Sequence, residues 1–196
     1  MNDHKILSAD ITSPTPILET SVSVPHVFTQ KDEVVELHPQ THQLTLQLNW
    51  ACGIDLDLHA FFRSKNGRFG HVYFGKKGNI KQPPYMQLRE DAGVLQTQGN
   101  KTEQLKVYNL EYLDYLLIAS NVFKLLGFSN NQDSFANYGG QLAISSDKQD
   151  SLIMPLNSTD IGKWCVIAKL DNTLANAPKM IYLNRVQKQE PTIGDF

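Results

Sequence analysis

"LTLQLNWACGIDLDLHAFF", residues 44–62, decides how the chain is read. In its first part Leu44, Leu46, Leu48 and Trp50 alternate with Thr45, Gln47 and Asn49. Side chains of a strand point alternately to its two faces, so this pattern predicts a half-buried β-strand. After a break at Gly53 the alternation resumes: Ile54, Leu56, Leu58 and Ala60 share one face, and Asp55, Asp57 and His59 share the other. Two aspartates so placed stand about 7 Å apart on one side of the strand. They are either a solvated face or the start of a cation site.

Working outward, the same rhythm recurs. "HVFTQKDEVVEL" places a turn at Lys31-Asp32 between short extended pieces. The pair Asn66-Gly67 between strand formers is a hairpin signal. Gly75 and Gly78-Asn79 mark a further turn. Strand candidates follow at 104–110, 115–123, 141–146, 151–156, 164–171 and 179–186, rich in β-branched and aromatic residues and separated by turn signals. This spacing predicts an all-β fold, a β-sandwich of two mainly antiparallel sheets. "LEYLDYLLIASNVFKLL" also admits a helical reading, because its apolar run lacks a clean period. Residues 1–24, with Pro14, Pro16 and few large apolar groups, are expected to be a flexible N-terminal arm. The sandwich is expected over 25–190, with 191–196 as a tail.

Composition narrows the function. The chain has 196 residues, 41% hydrophobic and 19% charged, enough for one domain with its own core. Eighteen Lys and Arg against 20 Asp and Glu leave a formal net charge of -2. No basic field favours nucleic acid or an anionic membrane. The longest apolar run, "LLIAS", is too short for a bilayer, and "MNDHKILSADITSP" lacks the apolar core of a signal peptide. The expectation is a cytoplasmic chain in which Cys52 and Cys165 stay reduced.

Enzyme motifs are missing: there is no phosphate-cradling loop, dinucleotide fingerprint, nucleophile elbow or HExxH. His59 and His71 are expected to be hydrogen-bonded structural histidines. Trp50, Phe61, Phe62, Tyr73 and Phe74 are read as core and hairpin packing. Gly139-Gly140 are read as a positive-φ turn or bulge at strand entry.

The remaining chemistry is acidic. Asp55 and Asp57 stand on one strand face, and the loop-like "LREDAGVLQTQGNKTEQL", 88–105, carries Glu90, Asp91 and Glu103. Calcium takes six to eight oxygens at about 2.3–2.6 Å, which a strand and a neighbouring loop together supply. The pattern is not an EF-hand, because it lacks the third oxygen position, the turn glycine and the closing glutamate.

In their order, "LNWACGIDLDLHAFF", "GRFGHVYFGKKGNIKQPPYMQL", "YLLIASNVF", "SFANYGGQLAI" and "WCVIAKLDN" resemble the TerD-type domains of the tellurium-resistance and stress-response proteins, most closely their TerA-like branch. The resemblance runs from about residue 27 to 172. It implies a β-sandwich, a cytoplasmic and non-enzymatic protein, calcium held by acidic residues, and assembly with other tellurium-resistance proteins. Asp55 and Asp57 match the family's DLDL; Asp91, Gly99 and Glu103 match the second half of its acidic loop. Arg89 stands where the family has an aspartate, and Glu90 where it has a glycine. Two outcomes are open. Glu90 restores the lost carboxylate and calcium binds weakly, or the Arg89 guanidinium closes the acidic cluster of a metal-free protein-interaction sandwich.

Overall fold

The structure, a computed structural model, describes residues 24–51, 54–89, 101–123, 134–174 and 177–196. The expected arm at 1–24 lies outside these residues except for Val24. Two sheets pack face to face. The seven-stranded sheet runs β1 (His26–Val27), β11 (Leu152–Pro155), β10 (Gln141–Ser146), β3 (Leu44–Trp50), β8 (Lys101–Val107), β7 (Met86–Leu88) and β6 (Gly78–Asn79). The six-stranded sheet runs β2 (Val34–Glu36), β13 (Lys179–Gln187), β12 (Trp164–Asp171), β9 (Leu113–Phe123), β4 (Asp55–Ser64) and β5 (Phe69–Val72). All described pairings are antiparallel except β1 with β11. The all-β sandwich read from the sequence is the fold observed.

The period-two pattern explains the core. Leu44, Leu46, Leu48 and Trp50 point inward and are buried, while Thr45, Gln47 and Asn49 face out. Their cross-strand neighbours continue the apolar rows: Leu46 opposes Ile144 and Leu105, and Leu44 opposes Val107. From the other sheet Leu56, Leu58, Ala60 and Phe62 meet them. Such cross-strand rows are the unit of sheet stabilisation.

β9 settles the ambiguous segment. It is a strand of 11 residues entered through a 3-10 turn, Leu110–Tyr112. Leu116, Ile118 and Val122 face the main core, and Leu117 and Ala119 belong to a second apolar cluster on the far side of the sheet. A strand buried on both faces loses its alternation, which is why the pattern resembled a helix.

Two details differ from expectation. Gly78-Asn79 form the edge strand β6, and the turn before it is Tyr73–Lys76. Gly78 has φ +80°, and a Cβ there would lie 2.2 Å from the Met86 carbonyl oxygen, so the close approach of β6 to β7 requires glycine. Phe74, read as packed, is 48% exposed, whereas Trp50, Phe61 and Phe62 are buried. Gly139 has φ +60°, as the turn reading required. Cys165 is a buried free thiol; Cys52 lies outside the described residues. No helix in the described residues is long and apolar enough to cross a membrane.

Candidate functional site

Asp55 and Asp57 open β4, whose open edge explains the site. β5 pairs with Ala60–Arg63, so among the described residues the backbone of residues 55–59 has a strand partner, β9, on one side alone. Buried backbone donors need acceptors, and here a side chain from the opposite sheet supplies one. Glu103 Oε2 accepts a short hydrogen bond from the Leu58 N–H. Glu103 is 1% exposed.

β8 delivers Glu103 by strand periodicity. Lys101, Glu103, Leu105 and Val107 all point inward, and Thr102, Gln104 and Lys106 point out. The sequence reading put residues 88–105 in a loop; the strand begins at Lys101, and its inner row turns from apolar to charged toward its start. The loop reading followed from those charges, since charged inward positions do not look like a strand face.

Lys101 was not singled out from the sequence. Its Nζ lies 3.3 Å from Asp55 Oδ1, with the two side chains 5% and 12% exposed. This is the cation that the described residues place against the acidic cluster. Arg89, which one of the two open outcomes placed in that role, points elsewhere: its guanidinium donates to Tyr108 Oη at 3.4 Å, on an exposed surface. The signal that identifies Lys101 is its spacing, two residues before Glu103 on one strand face.

Asp57 is 5% exposed, so the second aspartate is buried rather than solvated. Glu90, Asp91 and Gly99 lie outside the described residues. The structure thus brings Asp55, Asp57 and Glu103 to one end of the sandwich, from both sheets. Their oxygens are right in kind for calcium and short in number. One Glu103 oxygen is already committed to Leu58, and Lys101 neutralises part of the charge at Asp55. Among the described residues no three His, Cys, Asp or Glu side chains converge as a metal-holding group.

Beside the carboxylates, on the same outward face of β4, lies a histidine pair. His59 Nδ1 and His71 Nε2 are 2.9 Å apart, in line with the hydrogen-bonded structural role expected of both. His71 stacks on Phe61 with centroids 3.9 Å apart, and Trp164 meets His59 edge-on at 4.6 Å. Burial pushes His59 down to about 3, with the His71 charge adding to it and Asn121 opposing. Burial likewise pushes His71 down to about 4, helped by Lys76. Both rings are neutral at ordinary pH. Trp164, Asn121 and Glu190 complete this face; they are distant in sequence, and strand pairing alone brings them together.

No protein-family profile and no curated protein matches the chain. Solved structures do. A homologue of the telluride resistance protein TerD from Streptomyces coelicolor superposes with a TM-score of 0.59 at 13% identity, covering 77% of this chain and 93% of that one. A protein of unknown function superposes with a TM-score of 0.54 at 10% identity, covering 74% of this chain and 92% of that one. The chain therefore has the TerD-like β-sandwich fold.

Proposed function

We propose that the chain is a cytoplasmic binding module of the tellurite-resistance and stress-response kind, on the TerA-like side of that family. It works without catalysis, in assemblies with other tellurium-resistance proteins. The fold likeness to a TerD homologue and the ordered string of sequence motifs support this reading.

The observation that supports the site is that Asp57 and Glu103 are buried at the end of the sandwich where Lys101 pairs with Asp55 and Glu103 accepts from the Leu58 N–H. Calcium is proposed as a weak ligand there, held by these carboxylates with Glu90 and Asp91. When bound it neutralises mutually repelling carboxylates. Lys101 competes with it for Asp55. Millimolar calcium is expected to raise the melting temperature of the wild type and a chelator to lower it, while Asp57→Asn abolishes the shift. A ligand present at a hundredfold excess over its Kd contributes about 2.7 kcal/mol. In a chain of this size that is about 5–10 °C. An identical melting temperature with calcium and with chelator would refute the calcium reading.

A second reading rests on the Lys101–Asp55 contact at 3.3 Å. In it the site is closed internally, by Lys101 rather than Arg89, and the sandwich binds proteins without metal. Marked loss of stability in Asp57→Asn together with a flat calcium response favours it.

A further inference from the structure

Four adjacent strands of the seven-stranded sheet, β10, β3, β8 and β7, present an outer face without a carboxylate. Their outward residues are amides, hydroxyls, Ala143 and Lys106. Register lines these up across the strands: Gln47 stands opposite Gln104, Thr45 opposite Lys106, and Lys106 opposite Gln87.

Toward β6 this face deepens into a groove of about 640 Å³, lined by Lys77, Gln87, Leu88, Arg89, Thr102 and Gln104. Backbone pairing places its two cations. Gly78, at φ +80°, lets β6 approach the Met86 carbonyl, and the Lys77 carbonyl just before it accepts the Leu88 N–H at 2.8 Å. Just after β7, the Arg89 N–H donates to the Gln104 carbonyl at 2.8 Å. Among the described residues no ion pair involves Lys77, Arg89 or Lys106. The Arg89 guanidinium has one long bond, to the neutral Tyr108 hydroxyl. Asp147, which shares a separate groove with Lys106, is 3.4 Å from Lys148. The Thr102 hydroxyl and Gln47 amide are both spent on Asn49 Oδ1. The side-chain amides of Gln87 and Gln104 are not spent on neighbours among the described residues.

We propose that this groove binds a phosphate monoester, with Lys77 and Arg89 holding the phosphate and the polar body of the ligand lying along the Gln87 and Gln104 amides.

Charge sets the ligand class. A phosphate monoester carries close to two negative charges at neutral pH and matches the two cations. A guanidinium meets phosphate oxygens through paired bonds, and an ammonium serves as a point charge. A cleft lined by one sign of charge concentrates the opposite sign. The volume falls in the range that takes a small organic molecule rather than a bare ion. Amides donate and accept, which suits hydroxyl groups beside the phosphate. The groove is open to water, so binding is weak and salt-dependent. It is also separate from the carboxylates of β4, because Thr102 and Gln104 point out of the sheet while Lys101 and Glu103 point in.

The test is an NMR titration of the full chain with glycerol 3-phosphate, inorganic phosphate and glycerol, at pH 7.5 in chelator and 20 mM NaCl. Glycerol 3-phosphate should give saturable shifts at the Arg89 Nε–H and the Gln87 and Gln104 side-chain amides, with a Kd on the order of millimolar. Inorganic phosphate should bind at least about threefold more weakly, and glycerol not at all. Arg89→Gln should weaken binding about tenfold, Lys77→Gln about threefold, and Arg89→Lys by an intermediate factor. Lys179→Gln, on β13, should change nothing, and 200 mM NaCl should weaken binding several-fold. Shifts that stay linear and spread over the surface lysines would overturn the proposal. So would an unchanged Kd in both Arg89→Gln and Lys77→Gln. Inorganic phosphate binding as tightly as the ester would mean an adventitious ion only, and would overturn it too.

Discussion

Lys101→Met probes the acidic junction most sharply. Methionine keeps the length and the apolar stem of lysine and removes only the ammonium. In the folded chain that ammonium is 3.3 Å from Asp55 Oδ1, with the two side chains 5% and 12% exposed. Asp57 and Glu103, at 5% and 1% exposure, stand nearby. Removing one partner of a buried pair costs about 3–5 kcal/mol, because the other charge stays behind without compensation. Asp55 keeps some water, so the lower end, about 3 kcal/mol, is expected. For a chain of this length that is a fall of about 6–12 °C in melting temperature. The assay is thermal unfolding by circular dichroism in chelator, with Asp55→Asn and the double variant completing a cycle. The double variant should recover most of the loss, giving a coupling on the order of 1–3 kcal/mol. A change under about 2 °C in Lys101→Met, or no recovery in the double variant, would show that Lys101 does not close the cluster.

The remaining predictions concern the scaffold. Glu103→Ala strips the Leu58 N–H of its acceptor and should cost about 1–3 kcal/mol in urea unfolding, while Glu103→Gln, which still offers an oxygen, should cost less. Gly78→Ala should destabilise by about 2–3 kcal/mol, since φ is +80° and the new Cβ meets the Met86 carbonyl; a neutral result would mean that β6 and β7 are not so closely paired. Cys165 is fully buried, and burial pushes its thiol up, so a thiol reagent should modify it only on unfolding. Labelling at native rates would contradict that burial.

Most of the fold was legible because single-faced strands advertise themselves. β3 alternates cleanly and appears with the bounds the pattern implied. β10 does likewise, and β12, although buried on both faces over much of its length, also takes the bounds expected. β9 was not legible in the same way, because both of its faces are buried. The candidate site was half legible. The shared face of Asp55, Asp57 and His59 follows from period two, yet nothing local says that this face is covered. Covering comes from β8, from the C-terminal residues and from neighbours across the sheet, all distant in sequence. Lys101 escaped notice because a lysine at an inward strand position defies the usual pattern. Arg89 drew attention through the family's loop pattern, while strand geometry turns it toward Tyr108. The His71–Glu190 contact joins residues far apart along the chain, and no periodicity links them.

The most direct test of the central claim, that calcium and Lys101 compete for the carboxylates at the open edge of β4, is calorimetric titration of calcium into the wild type and Lys101→Met side by side. The account predicts weak binding by the wild type and binding at least about tenfold tighter by the variant, a difference of about 1.4 kcal/mol in line with the loss of an internal counter-charge. No heat above dilution in either protein, or equal affinity in both, would contradict it.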